Sequence, residues 1–292
     1  MPSPTTRKTP WASDFLFIFF KPMKNLLNAF KGSRPLKMNL MRAKTYLEAV
    51  GEISITPDLT AASVNDMLEL MFGKPRKMEI VGRKAIIPVC GVIGKGISEI
   101  EKRCNAVDLD DVANNLKVAM AADDVDEIVL EFNSPGGTCD GLEEVGDLIE
   151  NCNKPTTAVS VTECCSAAYE LASRCERVCG TPSSSWGSIG VYIAFADLSE
   201  AYAMEGVKMD VIKAGKHKAM GLEGTSLTKD DKKYLQEDVD ERWDQFKSTV
   251  KRRRVFAKDE DMEGQVWEGK KAAQKGLITH IIRDITDVVE PV

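Results

Sequence analysis

The sequence predicts an α/β protein built around a parallel β-sheet. From residue 77 onward, short β-branched runs alternate with segments of helical periodicity, as in the strand DEIVLEF (126–132) and the helix expected over 140–152. The links are short, and repeated β-α units with short links imply parallel strands joined by right-handed crossovers. A hairpin turn at Gly82 and Arg83 is expected to open this region.

The remaining elements follow in chain order. Further helices are predicted over 108–121, from 166 onward and over 197–205, and further strands at TTAVSV (156–161), ERVCGT (176–181), IGVYIAFAD (189–197) and KMDVIK (208–213). A long helix is expected from Thr228, with Asp231 completing a capping box. One stripe of this helix is apolar, formed by Leu235, Val239, Trp243, Phe246 and Val250.

Three segments divide the chain. Residues 1–37 are predicted to be a disordered basic leader, 38–76 a small N-terminal helical cap, and 77–292 the main domain. The apolar run 15–20 ends at Lys21 and is too short for a secretion signal or a membrane span. We therefore expect no stable membrane insertion and reduced thiols.

Composition excludes several classes of function. The formal net charge of -6 disfavours a general nucleic-acid binder, which needs a concentrated basic face. The eight cysteines form no C-x-x-C pair and the two histidines lie far from any cysteine pair, so we expect no metal site. No cofactor is predicted.

Two loops could carry chemistry. NSPGG (133–137) places two glycines after a strand, where backbone N–H groups can meet a carbonyl oxygen that becomes negative; it could equally be a tight turn. VTECCSAAYELASRC (161–175) places Ser166 at a helix start, where a hydroxyl can be a nucleophile or a simple N-cap.

A nucleophilic serine needs a base. His280 lies in an apolar stretch, whereas His217 lies in IKAGKHKAMG (212–221), which also contains Lys213, Lys216 and Lys218. A lysine can replace histidine as the base when its surroundings favour the neutral form. The residues alone leave this choice open.

Four segments in order, NSPGG, CCSAAYELAS (164–173), GSIGV (187–191) and IKAGKHKAMG, resemble the signal peptide peptidase A family (peptidase family S49). The resemblance covers roughly 77–285 and is strongest to the soluble branch of phage head-maturation proteases and minor capsid proteins. It implies a Clp-protease/crotonase-like spiral of β-β-α units.

The resemblance also implies roles by position. Ser166 matches the nucleophile and Lys218 the general base; Gly137 and Ala167 match the oxyanion hole, with Ser188 and Gly136 in support. This chain departs from the pattern at Ala168, where glycine is usual, and at the Cys164-Cys165 pair.

The implied function is a Ser-Lys endopeptidase, most simply a phage or prophage head-maturation protease. Its expected partners are a polypeptide substrate, other copies of itself in a homo-oligomer, and phage capsid or scaffold proteins; it would act in the host cytoplasm or in the virion. The alternatives are a peptidase of signal-peptide remnants, a cysteine peptidase using Cys165 and His217, an inert assembly protein, and a crotonase-like acyl-CoA enzyme.

Overall fold

The computed structural model describes residues 36–38 and 76–290, and within them eleven strands form one sheet. The strands are β1 (Leu36–Met38), β2 (Glu79–Val81), β3 (Lys84–Gly94), β4 (Ala106–Asp108), β5 (Glu127–Thr138), β6 (Thr156–Ser160), β7 (Glu163–Cys165), β8 (Arg177–Gly180), β9 (Ser185–Gly187), β10 (Val266–Glu268) and β11 (His280–Ile281).

Helices of different lengths connect the strands. They are α1 (Glu99–Arg103), α2 (Leu109–Ala121), α3 (Leu142–Glu150), α4 (Ala167–Ser173), α5 (Ser199–Met204), α6 (Lys229–Arg253), α7 (Gly269–Gln274) and α8 (Thr286–Val289). With the parallel pairs β3–β5, β5–β6 and β6–β8, they confirm the predicted α/β class.

The sheet branches at β5. The first half of β5 pairs with β6, which leads to β8 and β11. Further along, Ser134 of β5 pairs with Cys164 of β7, which leads to β9 and β10. The fork brings the ends of β5, β7 and β9 together at one place in the molecule.

The helix α4 lies at the centre of the core. All seven of its residues are buried, and it packs on β5, β7, α3 and α6. The rings of Tyr169 and Trp186 pack edge to face with centroids 6.3 Å apart, and the Tyr169 hydroxyl donates a hydrogen bond to the Leu277 carbonyl. The position of α4 is therefore fixed on every side.

The predicted long helix is confirmed as α6. Thr228 and Asp231 form the expected capping box. Phe246 and Val250 of the apolar stripe are buried, whereas its first members are only half-buried. The C-terminal half of α6 is thus part of the core, and its N-terminal half is packed more loosely.

Residues 191–228, here called the arm, differ from the prediction. The segments 189–197 and 208–213 form no strand, and α5 has no buried residue. Met204 is 84% exposed and Ile212 is fully exposed. The alternating pattern was misleading because it records apolar character without showing what buries it.

The segment NSPGG (133–137) also differs from the predicted strand-to-helix turn. The strand β5 continues to Thr138, and helix α3 begins only at Leu142, after Gly141 in a left-handed conformation (φ 80°). NSPGG is therefore the end of a strand rather than a turn. The strand continues because β3 pairs beside it as far as Gly137.

Most of the predicted leader and helical cap lies outside the described residues, so the domain boundaries stay predictions. Leu36–Met38, on the boundary between those segments, forms β1 and pairs antiparallel with β5. In the described part of the chain, no helix is both long and apolar enough to cross a membrane.

Candidate active site

Ser166 occupies a sharp turn between β7 and α4. Its backbone has φ 55° and ψ -123°, a region that non-glycine residues rarely adopt. Its N–H donates to the Gly187 carbonyl at 2.7 Å, and its own carbonyl accepts from Glu170 at 3.0 Å. A serine on a strained strand-to-helix turn is the arrangement that presents nucleophiles in several hydrolases.

The Ser166 hydroxyl is buried without a hydrogen-bond partner. The residue is 0% exposed, and Oγ makes no bond to the helix it precedes. The N-cap interpretation of this serine is therefore wrong. A buried hydroxyl without a partner is costly, by about 1–3 kcal/mol, and requires an explanation.

The strand register places the glycines beside this serine. Ser134 of β5 pairs with Cys164 of β7. Gly136 lies two residues beyond this pair on β5, and Ser166 lies two residues beyond it, directly after β7. Gly136 donates its N–H to Ser134 Oγ at 3.1 Å. Gly137 is in register with Ile93, and a Cβ there would lie 1.9 Å from the Ile93 carbonyl oxygen.

Ala167 is the first residue of α4. The first N–H groups of a helix have no partner within it, so they can donate hydrogen bonds to a negatively charged group outside the helix. Ala168, the departure from the family pattern, is buried in the same turn of the helix. Its methyl group is accommodated within the core.

Ser188 lies on the other side of Ser166. It follows Gly187, which pairs with Cys165, and its N–H donates to the Gln265 carbonyl at 2.6 Å. Ser188 also has a positive φ of 53° and lines a groove of about 640 Å³ together with Tyr192, Trp243 and Val266. A polypeptide side chain could occupy this groove.

The two cysteines before Ser166 are packing residues of β7. Both are buried, and burial raises the pKa of the Cys164 thiol well above its usual value. Cys165 Sγ lies 3.9 Å from the Ser185 carbonyl oxygen. These surroundings favour the protonated form of Cys164, which is a poor nucleophile.

Lys218 makes no hydrogen bond to Ser166. It lies on the arm with its side chain exposed, and Ser166 Oγ has no hydrogen-bond partner of any kind. The structure thus brings together Ser166, Gly136, Gly137, Ala167 and Ser188, but leaves the predicted base apart from them.

Sequence reasoning missed a histidine–carboxylate pair next to Lys218. His217 Nδ1 lies 2.8 Å from Asp231 Oδ1, and the ring stacks on Tyr234 with centroids 4.7 Å apart. The signal was available in part, because the capping box already marked Asp231 as a fixed carboxylate.

No group of three or more potential metal-ligating side chains is found among the residues that the structure describes. The strand register brings the hydroxyl groups of Ser134 and Ser188 and the backbone amides at the end of β5 towards Ser166. Their chemistry fits nucleophilic attack and oxyanion stabilisation.

Residues 149–291 match the sequence profile of peptidase family S49. This match covers just under half of the chain. The matched span includes Ser166, Ser188 and Lys218, and the two glycines of β5 precede it. The predicted resemblance to this family is confirmed.

Curated relatives extend the similarity. The head-tail preconnector protein GP5 of Enterobacteria phage P21 is 28% identical over 71% of this chain and 42% of its own length. The capsid assembly protease C of Escherichia phage lambda is 27% identical over 73% of this chain and 49% of its own length. Protease 4 of Haemophilus influenzae is 26% identical over 78% of this chain and 40% of its own length. The chain spans less than half the length of each of them.

Two solved structures resemble the chain in broad arrangement. A ClpP1 mutant from Listeria monocytogenes has a TM-score of 0.45 and 12% identity over 68% of this chain and 91% of its own. An enoyl-CoA hydratase/isomerase family member has a TM-score of 0.41 and 15% identity over 72% and 71%.

Proposed function

We propose that the chain is a serine peptidase with Ser166 as nucleophile and Lys218 as general base. The observation that carries the proposal is the Ser166 hydroxyl, buried without a partner on a strained turn at the start of α4. Strain of this kind costs about 1–3 kcal/mol and is typical of functional sites. The match of residues 149–291 to the sequence profile of peptidase family S49 supports the same chemistry.

The proposed reaction has two stages. Neutral Lys218 accepts the Ser166 proton as Oγ attacks the peptide carbonyl, and the same proton then passes to the leaving amine. The N–H groups of Gly137 and Ala167 stabilise the oxyanion. Water, activated by the lysine, then hydrolyses the acyl-enzyme and releases the serine.

Lys218 must approach Ser166 for this reaction. Either the arm folds back on its own domain, or the arm of a second copy reaches the site. The fully exposed Ile212 and the 84% exposed Met204 support a homo-oligomer, because such apolar side chains are expected to be covered.

The substrate is proposed to be an extended polypeptide. The strand β1 pairs antiparallel with Gly136 and Gly137, so this edge of β5 accepts an extended chain. A peptide paired at the same positions would have to replace β1. The groove beside Ser188 would then receive one of its side chains.

The proposed setting is phage head assembly, in the host cytoplasm or in the particle, with capsid or scaffold proteins as substrates. The names of the two phage relatives, a head-tail preconnector and a capsid assembly protease, support this setting. The relationship to protease 4 supports the alternative of a bacterial peptidase acting on signal-peptide remnants.

A cleavage assay tests the chemistry. With an unfolded polypeptide substrate, Ser166→Ala and Lys218→Ala should each lower the rate by at least about 10³-fold, since both act in the bond-breaking step. Lys208→Ala is the matched control, because Lys208 is an exposed lysine of the same arm that ion-pairs with Asp210, and this variant should cleave normally. Full activity in Lys218→Ala would refute the proposed base, and loss of activity in Cys165→Ala would favour the cysteine mechanism.

The separation of Lys218 from Ser166 favours one alternative, an inert assembly protein. That function predicts no cleavage by the unchanged chain and normal assembly of Ser166→Ala.

Mixing Ser166→Ala with Lys218→Ala shows which chain supplies the base. Activity that reappears in the mixture shows a base supplied by a second copy, and a mixture that stays inactive shows a base from the same chain.

A further inference from the structure

The loop that carries Lys218 is fastened to the first turn of α6. His217 Nδ1 lies 2.8 Å from Asp231 Oδ1, and Lys216 Nζ lies 2.8 Å from Asp230 Oδ2. The His217 ring also stacks on Tyr234, with 17° between the ring planes. Three contacts from two consecutive loop residues therefore hold this part of the arm, which is otherwise exposed.

Asp231 is a fixed anchor rather than a swinging surface carboxylate. It is buried, and Oδ2 accepts hydrogen bonds from the Thr228 hydroxyl at 2.6 Å and the Thr228 N–H at 3.2 Å. Hydrogen bonds from Thr228 and then His217 lower the pKa of Asp231 to about 2. The carboxylate is therefore charged at neutral and alkaline pH.

The anchor connects the lysine loop to the helix that carries the serine. From Asp231, α6 continues to Phe246 and Val250, which are fully buried. This half of α6 packs on α4, and Ser166 directly precedes α4. The arm has few other buried contacts, so α6 is the rigid element through which the loop is attached to the domain.

We propose that His217 is a positioning residue for the general base: through Asp231 it holds the adjacent Lys218 at a fixed place on α6, from which the lysine is presented to the Ser166 of a second copy. The proposal rests on the proposed Ser-Lys function. His217 does not touch the substrate in this account. The charged groups facing it are Asp230 and Asp231 of α6 and the flanking Lys216 and Lys218.

Hydrogen exchange measures the anchoring without any need for activity. His217→Ala should speed amide exchange across residues 213–220, whereas His280→Ala, at the exposed second histidine, should leave these amides unchanged. His217→Asn places an amide nitrogen at the position of Nδ1, so it can still donate a hydrogen bond to Asp231 and should restore part of the protection. Thr228→Ala removes the capping partner but keeps the histidine–aspartate pair, so it separates helix fraying from release of the loop.

Kinetics measure the catalytic consequence. A displaced base should lower kcat in His217→Ala by about 10- to 100-fold with little change in KM, because misplacement by about 1 Å has effects of this size. The kcat of His217→Asn should lie closer to that of the unchanged protein.

Each contrary result has a distinct meaning. Unchanged exchange and kcat in His217→Ala would overturn the positioning role while leaving the Ser-Lys function intact. Complete loss of activity in both histidine variants would make His217 itself the base. Cleavage by Lys218→Ala at the normal rate would overturn the proposed function and, with it, this role of His217.

Discussion

Replacing Ser166 by alanine should make the protein more stable while it removes the proposed nucleophile. The Ser166 hydroxyl is buried without a partner, and such a group costs about 1–3 kcal/mol. Alanine removes this cost and loses only a few atomic contacts worth about 0.1–0.2 kcal/mol each. The expected net gain is about 1 kcal/mol, or roughly 2–4 °C in Tm for a domain of this size.

Ser173, the last residue of α4, provides the control. Ser173 is buried like Ser166, but its hydroxyl donates to the Glu170 carbonyl at 2.8 Å. Ser173→Ala should therefore destabilise the protein by about 0.5–1.5 kcal/mol, the opposite sign. Ser166→Gly should stabilise at least as much as alanine, because glycine also relieves the strain at φ 55°.

Urea unfolding followed by circular dichroism measures these differences. All variants are compared at one protein concentration, because self-association would add to the apparent stability. A loss of about 1 kcal/mol in Ser166→Ala, similar to that in Ser173→Ala, would show that the Ser166 hydroxyl has a stabilising partner. The main structural argument for a nucleophile would then fail.

Two further predictions concern the surroundings of the serine. Gly137→Ala should destabilise the protein by at least about 3 kcal/mol, because the new Cβ would lie 1.9 Å from the Ile93 carbonyl oxygen. Gly190→Ala is the control: the atom nearest to its new Cβ is 3.5 Å away, so the urea midpoint of unfolding should barely move. Cys164 should resist iodoacetamide in the folded protein at pH 8, since burial disfavours its thiolate, whereas half-buried Cys152 should react; rapid modification of Cys164, mapped by mass spectrometry, would contradict its assigned burial.

The elements that sequence predicted well are those with local signals. The turn at Gly82 connects β2 and β3, and the capping box at Thr228 starts α6, because turn and cap geometry depend on a few adjacent residues. The alternation of strands and helices between 108 and 181 is also recovered. There each apolar run is buried by neighbours that follow it closely in the chain.

Long-range contacts explain the errors. The end of β5 remains a strand because β3 pairs with it, although Pro135 and two glycines favour a turn locally. The arm has strand-like alternation, but within the described protomer no sheet edge pairs with 208–213.

The candidate site was predicted unevenly for the same reason. Ser166 is marked by its position between a strand and a helix, and the register of β5, β7 and β9 then brings the glycines and Ser188 to it. The distance between Lys218 and Ser166 depends on how the arm packs, which no local pattern encodes. The contact of His217 with Asp231, 14 residues away, depends on the loop folding back onto α6.

Labelling with a fluorophosphonate probe tests the central claim most directly. The probe reports whether a serine is activated as a nucleophile, and mass spectrometry identifies which serine carries it. The account predicts a phosphonylated Ser166 in the unchanged protein, normal labelling in Lys208→Ala, and strongly reduced labelling in Lys218→Ala. An unlabelled Ser166 in the unchanged protein, or equal labelling after the loss of Lys218, would contradict it.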